Sequence, residues 1–240
     1  MQSIDHDSPG LLDDLRQVLV DTGVAYVRGV GGDDQLLALA ESLGAITEPG
    51  VAMPSQSHDG RIYSVHVRNE GRGVIDQHGN VIVSTTHQEF SLHTDAYNRP
   101  SPPRYVLLLR VDNGPDDTPS FVSDARLAIK SLPSSVASTL TQSIFPAAFG
   151  PAALVTASQP PEVRFNEAEL RRWAGRDTNP LLSLRAEDAI SQFAHSLRLH
   201  QETQVIRQTD CLVLDNYRVC HGRSAMASES KRELKRVWVA

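Results

Sequence analysis

The chain opens with apolar residues spaced three and four positions apart. Leucine and valine recur in this spacing over residues 9–22, directly after a Ser-Pro pair, which is typical of the start of a helix. Gly23 is expected to end this helix, and the alternating run 24–30 predicts a strand. A pair of aspartates then predicts a second helix over residues 33–43. The chain therefore begins as helix, strand and helix.

Short runs of β-branched and aromatic residues dominate residues 61–124, and turn-forming residues separate them. This pattern predicts antiparallel strands joined as hairpins. The predicted later elements are helices over 124–143 and 186–200 and strands over 203–207, 211–215, 218–222 and 234–239. Many short strands with added helices predict a mainly β chain with helical additions (α+β) around a double-stranded β-helix, or jelly-roll, core. Between these elements, residues 145–162 are rich in Pro, Gly and Ala and are expected to be an insert.

Composition narrows the class of protein. A chain of 240 residues with 40% hydrophobic and 22% charged side chains is expected to form one domain, residues 1–240. Its formal charge of 23 − 29 = −6 argues against nucleic acid or an anionic membrane as the main partner. The most apolar run, 105–109, is too short for a membrane span, and the acidic amino terminus does not resemble a secretory signal. With only two cysteines, the expected location is the cytoplasm.

Two of the nine histidines stand out by their neighbours. His93 and Asp95 follow an alternating run, and alternation in a strand places both on one face. His221 follows another apolar strand, 221 − 95 = 126 residues after Asp95. If the strands are neighbours, two imidazoles and a carboxylate converge as in non-heme Fe(II) oxygenases, with three coordination positions open. The alternative is a chance H-x-D triplet and an unrelated surface histidine.

The carboxyl terminus adds two arginines, Arg232 and Arg236. Four residues apart, they share one side of the chain whether the segment is helical or extended. Arginine also outnumbers lysine by twenty to three, and its planar fork suits carboxylates. These features are a hint of carboxylate recognition.

Taken together, these motifs resemble the TauD/TfdA (taurine dioxygenase and clavaminate synthase-like) family of Fe(II)/2-oxoglutarate-dependent oxygenases. That family carries an H-x-D/E motif on an early barrel strand, a distal His in a DN…HGR context and a following R-x-x-x-R. The matching segments here are SLHTDAYNRPSPPRYVLLLRV, LDNYRVCHGR and RELKR. The resemblance is close over residues 84–124 and 211–240 and looser over the first helix, strand and helix.

The resemblance implies a catalytic metal centre in which His93, Asp95 and His221 hold Fe(II). It implies 2-oxoglutarate as cosubstrate and O2 as oxidant. The implied reaction oxidises a C–H bond of a small, amino-acid-like substrate, with hydroxylation as the default outcome, and releases succinate and CO2.

The resemblance also implies a site for the cosubstrate. Arg232 matches the residue that binds the distal carboxylate of 2-oxoglutarate. A hydroxyl is implied beside it in a G-G-x-T/S segment, where this chain reads DTPS without the glycines. Ser120 is the first choice for that hydroxyl and Thr118 the alternative. Arg236 matches a position that meets a substrate anion or the C1 end of the cosubstrate.

Substrate contacts are predicted from positions near these motifs. Glu89 shares a strand face with His93 if alternation holds, and it could pair with a cationic group of the substrate or simply be solvated. Arg223 could contact a substrate carboxylate, or pair with Asp215 instead. Tyr97 is expected at the mouth of the barrel.

Two other classes of function stay open. Two imidazoles and a carboxylate also suit a zinc hydrolase, although no Glu sits beside these ligands as a general base. A cupin-like protein that binds a metal or small molecule without turnover would keep the same barrel. The sequence allows a homodimer without requiring one.

Overall fold

The computed structural model describes residues 2–48, 56–57, 60–75, 79, 81–112, 114, 117–174 and 180–240. Its strands are β1 Ser3–Asp5, β2 Val24–Arg28, β3 Gln56–Ser57, β4 Ile62–His66, β5 Val74–Ile75, β6 Val81–Ile82, β7 Phe90–His93, β8 Tyr105–Arg110, β9 Ser120–Asp124, β10 Gln201–Gln204, β11 Cys211–Asp215, β12 Val219–Arg223 and β13 Glu233–Val239. Its helices are α1 Leu11–Thr22, α2 Asp33–Leu43, α3 Ala125–Lys130, α4 Ser134–Leu140, α5 Glu167–Ala174 and α6 Pro180–Leu199.

Two sheets stack to form the double-stranded β-helix. The major sheet has the order β1-β2-β11-β8-β13-β4-β3, and the minor sheet has the order β10-β9-β12-β7. All pairs in these two sheets are antiparallel except β1 with β2. The predicted α+β class with a jelly-roll core is confirmed.

Alternation along β8 shows how the core is divided. Val106 and Leu108 pack between the sheets with residues of the minor sheet, including Val122. Leu107 and Leu109 point the other way and pack against the first two helices. The minor sheet is covered in turn by α3–α6, where Phe193 is fully buried. Helices therefore cover the outer faces of both sheets.

The observed elements follow the predicted pattern with local differences. Gly23 ends α1 in a left-handed conformation (φ 78°), as a residue without Cβ allows. The predicted helix over 124–143 is two helices, because Pro133 lies between α3 and α4 and disfavours helical geometry at Leu132. The predicted strand at 203–207 is observed at Gln201–Gln204. Residues 76–78, 80, 113 and 115–116 of the predicted hairpin region lie outside the described residues.

Two strands, β12 and β13, position site residues through their pairing with neighbouring strands. β12 lies between β9 and β7 and carries the DN…HGR motif across the minor sheet. β13 lies between β8 and β4 in the major sheet. None of the described helices is both long and apolar enough to span a lipid bilayer.

Candidate metal centre and active site

Two histidines face each other across neighbouring strands. His221 on β12 lies opposite His93 on β7, and their ring centroids are 4.4 Å apart. Gly222 allows this close pairing, because a Cβ there would collide with the backbone of Phe90 and Ser91. The strand pairing that the sequence could only assume is therefore present in the fold.

Asp95 completes a cluster of three possible metal ligands. Its Oδ1 lies 3.4 Å from Nε2 of His93 and 3.7 Å from Nε2 of His221. One donor atom from each of the three side chains lies within 4.8 Å of the others, and all three residues are buried. Neighbouring donors around one divalent ion are about 3 Å apart when each bond is about 2.0–2.2 Å. The residues present therefore fit a metal of the Fe(II) or Zn(II) type.

The protonation states also suit metal binding. In one tautomer, His93 donates from Nδ1 to the carbonyl of Ser91 at 2.9 Å and keeps a lone pair on Nε2. Burial, with the neighbouring His93, lowers the pKa of His221 to about 3, so its imidazole is neutral near pH 7. Burial alone would raise the pKa of Asp95, but the positive charge of Arg236 and contact with His93 hold it well below its usual range. The cluster thus presents a neutral imidazole at His221 and a carboxylate at Asp95, with a lone pair on Nε2 of His93 in the tautomer described.

The second oxygen of Asp95 is held by β13. Its Oδ2 accepts hydrogen bonds from Nη1 of Arg236 at 3.1 Å and from Nε1 of Trp238 at 2.6 Å. The Arg236 guanidinium lies over the rings of Trp238 and Tyr63, at 4.7 and 5.6 Å from their centroids. These contacts leave Oδ1 as the carboxylate oxygen that faces the imidazoles.

Asn216 fixes the backbone of Asp95. Its Oδ1 accepts from the Asp95 amide at 2.7 Å, and its Nδ2 donates to the carbonyls of Asp95 and Pro103 at 3.1 and 2.9 Å. Asn216 is itself fully enclosed. The asparagine of the DN pair therefore acts by holding the loop that carries the carboxylate, a role that sequence reasoning did not assign.

A second cluster lies beside the histidines. Nη2 of Arg232, just before β13, donates to Oγ of Ser120 at 2.7 Å, and both side chains are buried. A cavity of about 60 Å³ is lined by this pair together with His93 and His221. Thr118, the alternative hydroxyl, is buried but does not line that cavity. The arrangement therefore favours Ser120 over Thr118.

The predicted substrate residues are spread over different places, and Glu89 is the one that lies away from both described cavities. Glu89 is exposed and lines neither described cavity, because a bulge opposite β12 breaks the alternation between Phe90 and His93. Arg223 lines the smaller cavity and donates to backbone carbonyls, including that of Thr86 at 2.6 Å.

The other two predicted substrate residues line a larger cavity, of about 540 Å³, that adjoins the metal cluster. Arg236 lines it, but one of its amino groups is occupied by Asp95, which differs from the predicted contact with a ligand anion. Tyr97 is buried in its wall, where burial and the nearby carboxylate of Glu169 raise the pKa of its phenol. Sequence reasoning missed two further wall residues: Arg99 lies in the H-x-D segment but was given no role, and Glu169 lies outside the recognised motifs.

Comparison with known proteins gives the class that fits this fold and site. The family model described as "Taurine catabolism dioxygenase TauD, TfdA family" matches residues 2–144. The chain therefore belongs to the TauD/TfdA family. This confirms the predicted family and the predicted enzyme class, an Fe(II)/2-oxoglutarate-dependent oxygenase. No curated protein matches the chain.

Solved structures share the fold at low sequence identity. Asparagine oxygenase, solved with Fe(II), 2S,3S-3-hydroxyasparagine and succinate, is 17% identical with a TM-score of 0.74, and the match covers 97% of this chain and 79% of that one. The non-heme iron oxygenase OrfP, solved with Fe and alpha-ketoglutaric acid, is 21% identical with a TM-score of 0.72, covering 97% and 80%. A further OrfP complex contains Fe, succinate and (3S)-hydroxy-L-Arg, with 20% identity, a TM-score of 0.73 and coverage of 97% and 81%.

Proposed function

We propose that this protein hydroxylates a C–H bond of a small, amino-acid-like metabolite, using Fe(II) held by His93, Asp95 and His221. When bound, Fe(II) and 2-oxoglutarate supply the oxidising chemistry, in which one oxygen atom of O2 enters the substrate and the other enters succinate as CO2 leaves. The chain itself supplies the metal ligands and, in Arg232 and Ser120, the side chains that bind the cosubstrate.

One observation carries this proposal. Arg232 and Ser120 line the same small cavity as the two imidazoles. A dicarboxylate with one end at the histidines can therefore place its other end on a buried guanidinium, in a charge-assisted hydrogen bond. A zinc hydrolase or a passive metal-binding protein does not call for such a group beside the metal.

Apolar side chains form part of the lining of the small cavity. Leu108, Leu234 and Val65 line the small cavity together with the polar groups. In a poorly solvated cavity, the charge of Arg232 acts more strongly on a carboxylate than it would in water. The inward hydrogen bonds from Trp238 and Arg236 hold Asp95 while the ligand enters.

The larger cavity supports a small polar substrate. It adjoins the cluster through His93 and Asp95, and charged side chains occur in its wall. Among the proteins that share the fold, asparagine oxygenase is solved with a hydroxylated asparagine and OrfP with a hydroxylated arginine. These features favour an amino-acid-like substrate here as well.

Succinate formation tests the proposal. Purified protein with Fe(II), 2-oxoglutarate and a mixture of amino acids should form succinate only when O2 is present. Arg232→Gln should raise the 2-oxoglutarate concentration needed for half-maximal rate by about 10–100-fold, since a hydrogen bond to a charged group contributes about 1.5–3 kcal/mol.

The matched control is Arg28→Gln, which removes the same charge from a side chain that is half exposed and paired with Asp5. It should leave the rate unchanged. Succinate formation that does not exceed the protein-free rate would contradict the proposal. So would an Arg232→Gln variant, folded by circular dichroism, with unaltered dependence on 2-oxoglutarate.

We also propose a cytoplasmic location. Cys211 and Cys220 are both buried and free, and burial raises the pKa of the Cys211 thiol to about 12. Thiols of this kind act as packing groups and suit a reducing compartment.

A further inference from the structure

Arg99 is a charged residue in the wall of the larger cavity. Its guanidinium lies over Trp238, 5.1 Å from the ring centroid, four residues after Asp95. Within the described part of the chain, that guanidinium makes no hydrogen bond or ion pair, although it is half-buried. A guanidinium that is partly withdrawn from water and unpaired gains most from an anionic ligand.

Hydrogen bonds hold the backbone at Arg99, so the side chain extends from a fixed point. Its amide donates to the carbonyl of Ala96, and its own carbonyl accepts from Nη1 of Arg164 at 2.9 Å. Ala96 adopts a left-handed conformation (φ 54°), which turns the chain directly after Asp95. Arg99 is therefore held near the metal ligands by contacts that do not use its charge.

Glu169 is the opposite charge in the wall of the same cavity. It lies on α5, where its amide donates to Oδ1 of Asn166 at 3.2 Å. Its carboxylate contacts Nδ2 of Asn166 at 3.5 Å and lies near the phenol of Tyr97, whose pKa burial and this carboxylate raise. These partners are neutral, and no cation forms an ion pair with Glu169 among the described residues. The Glu169 carboxylate is therefore oriented by neutral groups, and its negative charge can still pair with a cationic group of a ligand.

The start of α5 is tied to the metal cluster. Asn166 forms an isolated β-bridge with His93, so the helix that carries Glu169 begins beside a metal ligand. Arg172, one turn further along α5, also lines the cavity and is exposed. The cavity therefore has a guanidinium and an oriented carboxylate in its wall, with an additional positive charge in a more exposed position.

We propose that Arg99 and Glu169 are the anion and cation subsites for the substrate, which is therefore a zwitterionic amino acid. In this arrangement, the substrate carboxylate binds the Arg99 guanidinium, and the substrate ammonium binds the Glu169 carboxylate. The inference rests on the proposed function and deepens it by naming two residues that select the substrate. Tyr97 and Asn166 are positioning residues, because they act by orienting Glu169.

Calorimetric titration tests these subsites without turnover. The protein is loaded with Mn(II) and 2-oxoglutarate, and the twenty common amino acids are titrated in small pools and then singly. The amino acid that binds is compared with its decarboxylated amine and its deaminated acid. Arg99→Gln should weaken the amino acid by about 10–100-fold and should hardly affect the amine, which lacks the carboxylate. Glu169→Gln should weaken the amino acid similarly and spare the deaminated acid.

The variants have controls that separate charge from structure. Arg99→Lys keeps the charge and should bind more tightly than Arg99→Gln, while Arg28→Gln and Glu41→Gln remove the same charges at half-exposed or exposed ion pairs. Thermal unfolding establishes that each variant is folded. Lack of binding by every amino acid overturns the inference, and so does binding that Arg99→Gln and Glu169→Gln leave unchanged. Failure of the proposed function is a different result, since it appears as lack of 2-oxoglutarate binding to the Mn(II)-loaded wild type.

Discussion

Replacing Trp238 with Phe tests how far the strand β13 sets the properties of the metal cluster. Trp238 is buried, stacks near Tyr63 with a centroid distance of 6.1 Å and donates from Nε1 to Oδ2 of Asp95 at 2.6 Å. Phe preserves most of the aromatic volume but cannot donate. The substitution therefore leaves Oδ2 of Asp95 with Arg236 as its remaining described partner.

The magnitude follows from the charge on the acceptor. A hydrogen bond to a charged group contributes about 1.5–3 kcal/mol, and loss of a partner that orients a metal ligand typically costs about 10–100-fold in metal affinity. Trp238→Phe should therefore bind metal about 10–100-fold more weakly than the wild type. The carboxylate then rotates more freely, so Oδ1 is less often directed at the imidazoles.

Anaerobic titration with Co(II), followed by visible absorption, measures this change directly. Tyr63→Phe is the matched control, because it alters the aromatic neighbour of Trp238 and leaves the hydrogen bond to Asp95 in place. Thermal unfolding without metal separates loss of ligand geometry from loss of the fold. A folded Trp238→Phe protein with the same Co(II) affinity as wild type, within about twofold, would show that β13 does not orient the carboxylate.

Three further outcomes are expected. Asn216→Ala removes the hydrogen bonds that hold the backbone of Asp95 and should lower the free energy of unfolding in urea by about 1–3 kcal/mol, whereas an unchanged midpoint would contradict that role. Gly222→Ala places a Cβ against the backbone of Phe90 and should destabilise the protein by about 1–3 kcal/mol and weaken Co(II) binding, while wild-type values for both would count against close strand pairing. Burial and a hydrogen bond to a carboxylate raise the pKa of Tyr26 from 10.0 to about 12, so the folded state holds this proton more tightly. Its contribution to stability is complete below pH 10 and is lost as the pH rises towards about 12; urea unfolding across this range should show a loss that Tyr26→Phe reduces.

Periodicity predicted most of the elements that build the barrel. The alternation in β8 and the spacing in α1 are local signals, since each depends on which face of one element is buried. The carboxyl-terminal strand was predicted over 234–239 and is observed over Glu233–Val239. Apolar spacing continues across Pro133 and therefore predicts one helix over 124–143, but the helical backbone is interrupted at Pro133 and two helices form.

The metal cluster could be predicted because its three residues lie in short motifs. The groups that complete the site could not, since they depend on contacts between distant strands. Trp238 reaches Asp95 from a strand 143 residues later in the chain, and no local spacing reports that contact. For Glu89 a local signal was misleading. Strict alternation predicts that it shares a face with His93, but a bulge of one residue changes which side chains share that face.

One visible spectrum tests the central claim, that the protein binds Fe(II) and 2-oxoglutarate at a shared site. Under anaerobic conditions, Fe(II) and 2-oxoglutarate added together should produce a weak visible charge-transfer band that neither produces alone. The band should disappear in His93→Ala. A folded wild-type protein that gives no such band at saturating Fe(II) and 2-oxoglutarate would contradict a shared site for the two.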